Sequence, residues 1–192
     1  MDILISGGKL VTMNAKREVF DGDILVTDGR IAKIGAKLKA PRGAKTIDAD
    51  GAVVVPGLIQ THVHVCQTMF RCMADDMMLL EWLRKRIWPY EGAHDANSLR
   101  ASAEMGVAEL LRGGTTTILD MGTVRNQDVV FEVFAESGIR GIGGKAMMDV
   151  PKGLPKGLQE GMRESLEESA RLARTWHGAK EGRIKYAYCP RF

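Results

Sequence analysis

Cysteine, proline and aromatic residues are all scarce in these 192 residues: three Cys, six Pro, and Phe, Trp and Tyr together at 6%. Cys66, Cys72 and Cys189 form an odd, unpatterned set, more like cytosolic thiols than a disulfide frame. Long apolar runs are missing too. The strongest, Ala52 to Val55, is far too short to span a bilayer. Charge of one sign is not concentrated anywhere, since 27 basic and 24 acidic residues interleave to a net +3. No basic tail or stripe offers a nucleic-acid surface. The start, Met1-Asp2, runs straight into a strand pattern with no basic or apolar leader, so a cytoplasmic protein is expected. What remains, 45% hydrophobic and 27% charged residues, is the composition of an ordinary globular chain.

Residues 1–56 read as short strands between glycine turns. Ile3-Leu4-Ile5 stops at Gly7-Gly8, and Lys9 to Met13 follows as a separate run. Asp23–Val26 and Ile31–Ile34 flank Asp28-Gly29, a pair that closes hairpins because it tolerates positive φ. This gives a small β-rich subdomain with thin hydrophobic content, expected to be incomplete and composite. From Gly57 the rhythm alternates between strand and helix. Leu79, Trp82, Leu83 and Ile87 predict a helix that Pro89 stops. Asp95 or Asn97 caps the next, and Gly138 closes a third. Met162, Leu166, Ala170, Ala173 and Trp176 mark the buried side of a longer one, and Arg183 to Cys189 is a fourth strand. The alternation predicts an α/β fold with parallel strands and right-handed crossovers. An eight-fold barrel takes about 250 residues, so residues 57–192 fit the first four or so βα units, and a missing C-terminal half is expected.

Chemistry concentrates at His62-Val63-His64, which follows Val53-Val54-Val55-Pro56-Gly57-Leu58. Residues two apart on a strand share a face. Two imidazoles can thus leave the C-terminal end of the first barrel strand together, where parallel α/β folds place their sites. A bare His-x-His is often accidental; a buried run and a Pro-Gly break just before it make it a metal pair. Cys66 has the same parity and reads either as a third ligand or as a buried thiol. His94 reads as a capping or surface residue, and His177 as the end of a helix. Asp120 and Lys145 lie at strand ends and read either as residues reaching the mouth of the site or as a loop cap and a charge-paired lysine.

These motifs resemble the amidohydrolase superfamily, in its branch of adenosine-type deaminases, guanine deaminases and triazine hydrolases. The resemblance runs through Pro56-Gly57-Leu58 with His62-x-His64, Ala74-Asp75-Asp76 with Glu81-Trp82-Leu83, and Ile87-Trp88-Pro89-Tyr90-Glu91. It continues in Gly113-Gly114-Thr115-Thr116-Thr117 and Cys189-Pro190-Arg191-Phe192. It implies a (β/α)8 TIM-like barrel holding one divalent metal, zinc first and iron as the alternative, with His62 and His64 as two ligands. The remaining ligands and the catalytic carboxylate are expected downstream, so no catalytic residue is assigned within the chain. It also implies a small purine or nucleoside substrate and hydrolytic deamination of a 5′-modified adenosine. Glu91 would accept the ribose hydroxyls, or else serve as a first-turn acid of its helix. Trp82 is a stacking surface or a core residue. Arg191 and Gln67 depart toward the guanine deaminase pattern, since a guanidinium only donates and suits a keto oxygen. A keto-purine or triazine substrate is the alternative. A further one is a non-catalytic half-barrel that pairs with itself or with another chain. The cluster Met69, Met73, Met77 and Met78 reads as an adaptable lid or as core filler.

Overall fold

The computed structural model describes residues 1–73, 76–150 and 152–191. Ala74 and Asp75 of the acidic motif and Phe192 of the last one lie outside the described residues. The chain forms two compact units that divide between Pro56 and Gly57. Among the described residues no helix is long and apolar enough to cross a membrane.

The first unit is one twisted sheet. β1 (Ile3–Val11) pairs antiparallel with β2 (Val19–Thr27), which pairs antiparallel with β3 (Arg30–Gly35). β4 (Lys45–Asp48) and β5 (Val53–Val54) add to β1 in parallel. Asp28-Gly29 closes the β2–β3 hairpin with φ of 51° and 71°. Gly7-Gly8 does not separate two strands, contrary to the sequence expectation. The register slips between Ile5 and Gly8, and Gly7 at φ 76° absorbs the bulge within one continuous strand. Asp23, buried, accepts from the Gly7 and Leu38 N–H groups at 2.8 and 2.7 Å. Those donors hold its carboxyl below the usual range.

The second unit alternates strand and helix. β6 (Leu58–Val63), β7 (Thr115–Met121) and β8 (Arg140–Gly144) are parallel neighbours; β9 (Ala146–Met147) follows β8. β10 (Ile184–Tyr186) adds to β8, and β11 (Cys189–Pro190) pairs with β9. The order β10-β8-β7-β6 leaves β6 at one edge of the described sheet. The expected strand at 183–189 is thus split in two, Ile184–Tyr186 on β8 and Cys189–Pro190 on β9, and the Ala187 N–H still donates to the Gly143 carbonyl at 2.7 Å. Gly144 permits this approach: a Cβ there would lie 1.8 Å from the Ala187 carbonyl oxygen.

A short 3-10 turn, Val65–Phe70, follows β6. Pro89 does not end the next helix. α1 (Leu79–Trp82) passes through a π turn (Leu83–Ile87) into α2 (Trp88–Ala93), with Pro89 in the first turn of α2. The wider turn absorbs the missing proline N–H and its ring, so the chain continues helical to Ala93. α3 (Ala96–Arg112) is capped by Asp95 through a reciprocal box with Ser98. α4 (Gln127–Ser137) ends on left-handed Gly138, and α5 (Met162–Trp176) precedes β10. The core between sheet and helices gathers Ile118, Phe131, Phe134, Leu172 and Ile184. On α5 the buried positions are Ser165, Ser169 and Leu172. Met162 and Leu166 are exposed, against expectation, and line a groove of about 450 Å³ with Met147, Pro190 and Arg191.

Candidate metal and substrate site

His62 and His64 leave the C-terminal end of β6. Between Gln60 and Val63 two residues of β6, Thr61 and His62, oppose one of β7, Leu119, with Gln60 pairing with Ile118 and Val63 with Asp120. This bulge re-aims the strand end next to the site. Val63, between the two histidines, packs into the helix-side core. Their rings stand at right angles with centres 4.8 Å apart. With each ring nitrogen about 2.0–2.1 Å from a shared ion, that separation lets both converge on one cation.

The Met121 carbonyl fixes the His64 tautomer. It can only accept, so His64 Nδ1 donates to it at 2.7 Å, leaving the Nε2 lone pair for a metal. Burial pushes the His64 pKa down against the opposing pull of that carbonyl, which favours the neutral, ligating imidazole. One residue along, the Val65 N–H donates to Asp120 Oδ1 at 2.9 Å. The paired segments Asp120-Met121 and His64-Val65 are thus held by two hydrogen bonds. Asp120 Oδ2 is buried with no partner among the described residues, and burial raises its carboxyl to about 7.

Cys66 is fully buried and its pKa is raised, by burial and then by Glu91, so it remains a thiol packed in the core. Among the described residues no group of three or more His, Cys, Asp or Glu side chains is placed to hold a metal. The donor set therefore fits a metal in kind and falls short in number: two neutral imidazoles, one of them oriented by a backbone carbonyl.

Three of the four expected substrate residues come together. Glu91, on α2, is buried. Gln67 Nε2 donates to its Oε1 at 2.6 Å, and Arg191 Nη1 donates to its Oε2 at 2.8 Å. Gln67 sits in the turn after β6, and Arg191 directly follows β11. Trp82, half-buried, meets Gln67 across a cavity of about 240 Å³ that Phe70, Met73 and Ile87 also line.

His94 is neither a ligand nor a bare surface residue. It ends α2 and donates from Nε2 to the Cys66 carbonyl at 2.9 Å, with Nδ1 3.0 Å from Ser98 Oγ. It thereby ties the turn carrying Gln67 to the start of α3, a long-range role that helix-end position alone did not reveal. His177 ends α5 and accepts from the Tyr186 N–H. Lys145 is buried and paired with Glu160 at 2.6 Å, which makes it a structural lysine.

Residues 53–192 match the amidohydrolase family. Over 98% of its length the chain is 37% identical to a 5-methylthioadenosine/S-adenosylhomocysteine deaminase of Symbiobacterium thermophilum, of which it spans 42%. It superposes on 46% of E. coli guanine deaminase, with all of this chain covered, a TM-score of 0.85 and 32% identity. The fold is also shared with a zinc complex of atrazine chlorohydrolase from Arthrobacter aurescens, at TM-score 0.87 and 23% identity over 98% of this chain and 46% of that one. The chain thus spans less than half the length of the proteins it matches.

Proposed function

The chain belongs to the amidohydrolase family, and we propose that it supplies the metal pair and the substrate wall of a cytoplasmic hydrolytic deaminase. The substrate class is a 5′-modified adenosine, such as S-adenosylhomocysteine, methylthioadenosine or 5′-deoxyadenosine. The observation that carries this reading is the pairing of His62 and His64 on one face, in a chain 37% identical to a deaminase of that class. A divalent metal, zinc in this proposal, would lower the pKa of water to about 7 when bound. His62 and His64 hold that ion, the Met121 carbonyl keeping the His64 ring turned toward it. Glu91 accepts the ribose hydroxyls, Gln67 steadies its carboxylate, and Trp82 borders the adjoining cavity. A catalytic zinc takes three protein ligands plus water, so the remaining donors and the proton-transferring carboxylates are proposed to come from outside residues 1–192.

A second reading, a keto-purine substrate, draws on Arg191 and on the 32% identity to a guanine deaminase. Ammonia release decides between them. The protein that carries this chain together with the segment supplying the other ligands is expected to deaminate 5′-methylthioadenosine or 5′-deoxyadenosine faster than guanine. The zinc-loaded 192-residue chain alone is expected to show negligible turnover. Preferential turnover of guanine selects the second reading, and rapid turnover by the chain alone contradicts the division of ligands.

A further inference from the structure

Glu91 and Arg191 lie 100 residues apart in sequence and meet at 2.8 Å, with side chains only 1% and 7% exposed. Among the described residues Arg191 is the cation paired with this carboxylate. Its other polar contacts are the Gln67 amide at 2.6 Å and the Cys66 thiol at 3.9 Å, both on Oε1, whereas Arg191 takes Oε2. We infer that Arg191 is a positioning residue: it sets the Glu91 carboxylate for the substrate, instead of meeting the substrate itself. The inference rests on the reading of Glu91 as the carboxylate that accepts substrate hydroxyls.

Three features carry it. First, donors grip both carboxylate oxygens, so rotation about the terminal bond of Glu91 is arrested and its free lone pairs point in fixed directions. A carboxylate offers about four acceptor sites. Arg191 takes one on Oε2 and Gln67 one on Oε1, where the Cys66 thiol at 3.9 Å is a second, weak contact that a hydroxyl would displace, so capacity for two neighbouring hydroxyls remains. Second, Arg191 is itself anchored, because its backbone N–H donates to the Met147 carbonyl at 3.0 Å and extends the β9–β11 pairing. The guanidinium therefore ties Glu91 on α2 to the β9–β11 pair. Third, a buried carboxylate without a counter-charge is strongly disfavoured, and the guanidinium supplies that charge through a single contact on Oε2. The specificity that follows is for a vicinal diol, a ribonucleoside over its 2′-deoxy analogue.

A double-mutant cycle of E91Q, R191Q and both together tests this, with R191K as the conservative control. Binding of 5′-methylthioadenosine and of its 2′-deoxy analogue is measured by calorimetry on chelator-treated protein, and thermal melting is recorded on the same samples. R191Q is expected to weaken ribonucleoside binding about 10-fold, as E91Q does, with the 2′-deoxy analogue much less affected. The double variant should bind no worse than E91Q, and R191K should recover part of the loss. Losses that simply add, or an R191Q protein that keeps its diol preference while losing guanine, overturn the inference and make Arg191 a substrate contact. If the unaltered protein binds no nucleoside, the proposed function fails. That outcome takes the inference with it, whereas nucleoside binding that persists with additive losses overturns the inference alone and leaves the proposed function standing.

Discussion

The two halves of the candidate site differ in how complete they are. At the substrate wall, Glu91, Arg191 and Gln67 satisfy one another inside the protein, with hydrogen bonds of 2.6 and 2.8 Å and almost no exposure of the ion pair. At the candidate metal pair, His62 is exposed and His64 is held through Nδ1 by the Met121 carbonyl, with no further hydrogen bond to either ring among the described residues. In the proposed function the wall is a piece of structure that would double as a binding surface. The imidazole pair would serve a cation there, and it adds little to the fold. Substitutions in the two places should therefore separate stability from metal affinity.

The largest effect is expected at the pair. Losing an outer partner of a metal ligand costs roughly 10–100-fold in affinity, and losing a ligand itself should cost more. His64→Ala is expected to lower zinc affinity by more than that range while leaving the melting temperature nearly unchanged, as measured by competition with a chelator and by calorimetric melting. Glu91→Ala should do the reverse. It strands the buried Arg191 guanidinium, and breaking such a pair from one side costs about 3–5 kcal/mol, visible in denaturant unfolding, with zinc affinity little altered. If His64→Ala melts the protein as much as Glu91→Ala, the contrast is broken.

A smaller contrast lies in pH dependence. The Asp120 carboxyl stays protonated in the native metal-free protein up to about 7 because it is buried, against an ordinary value of 3.8. The native state therefore binds more protons than the unfolded one in that window, and stability falls as pH climbs from about 4 to about 7. Asp120→Asn keeps an acceptor for the Val65 N–H and should flatten that slope. Asp23 acts with the opposite sign. The Gly7 and Leu38 N–H groups depress its pKa below 3.8, so its contribution is present above that value and is lost as pH falls through the native one. Asp23→Asn should remove part of the acid-side loss. Melting curves between pH 3 and 8 would read both, and a D120N protein with an unchanged slope would contradict the assignment.

Local chemistry was the readable part of this fold. Asp28-Gly29, Asp95 and Gly138 mark a hairpin, a helix start and a helix end because each acts within a few residues. His62 and His64 were legible because the two-residue period of a strand puts them on one face. Pro89 misled, since the π turn that accommodates it depends on packing of Leu83, Ile87 and Trp88 into a common core. The stripe on α5 misled only in its first half: Met162 and Leu166 face a groove and Ser165 and Ser169 are buried instead, whereas Ala173 and Trp176 pack against the core as expected. Gln67, Glu91 and Arg191 could be chosen one by one, but their meeting joins a turn, a helix and a strand end up to 100 residues apart, beyond the reach of any periodicity. His94 was missed as a tie for the same reason.

X-ray absorption of the zinc-loaded protein, with His62→Ala and His64→Ala alongside, tests the shared cation most directly. Two imidazole nitrogens from this chain at about 2.0–2.1 Å, falling to one in either variant, is the expected result. A bound ion whose coordination is the same in all three proteins would contradict it.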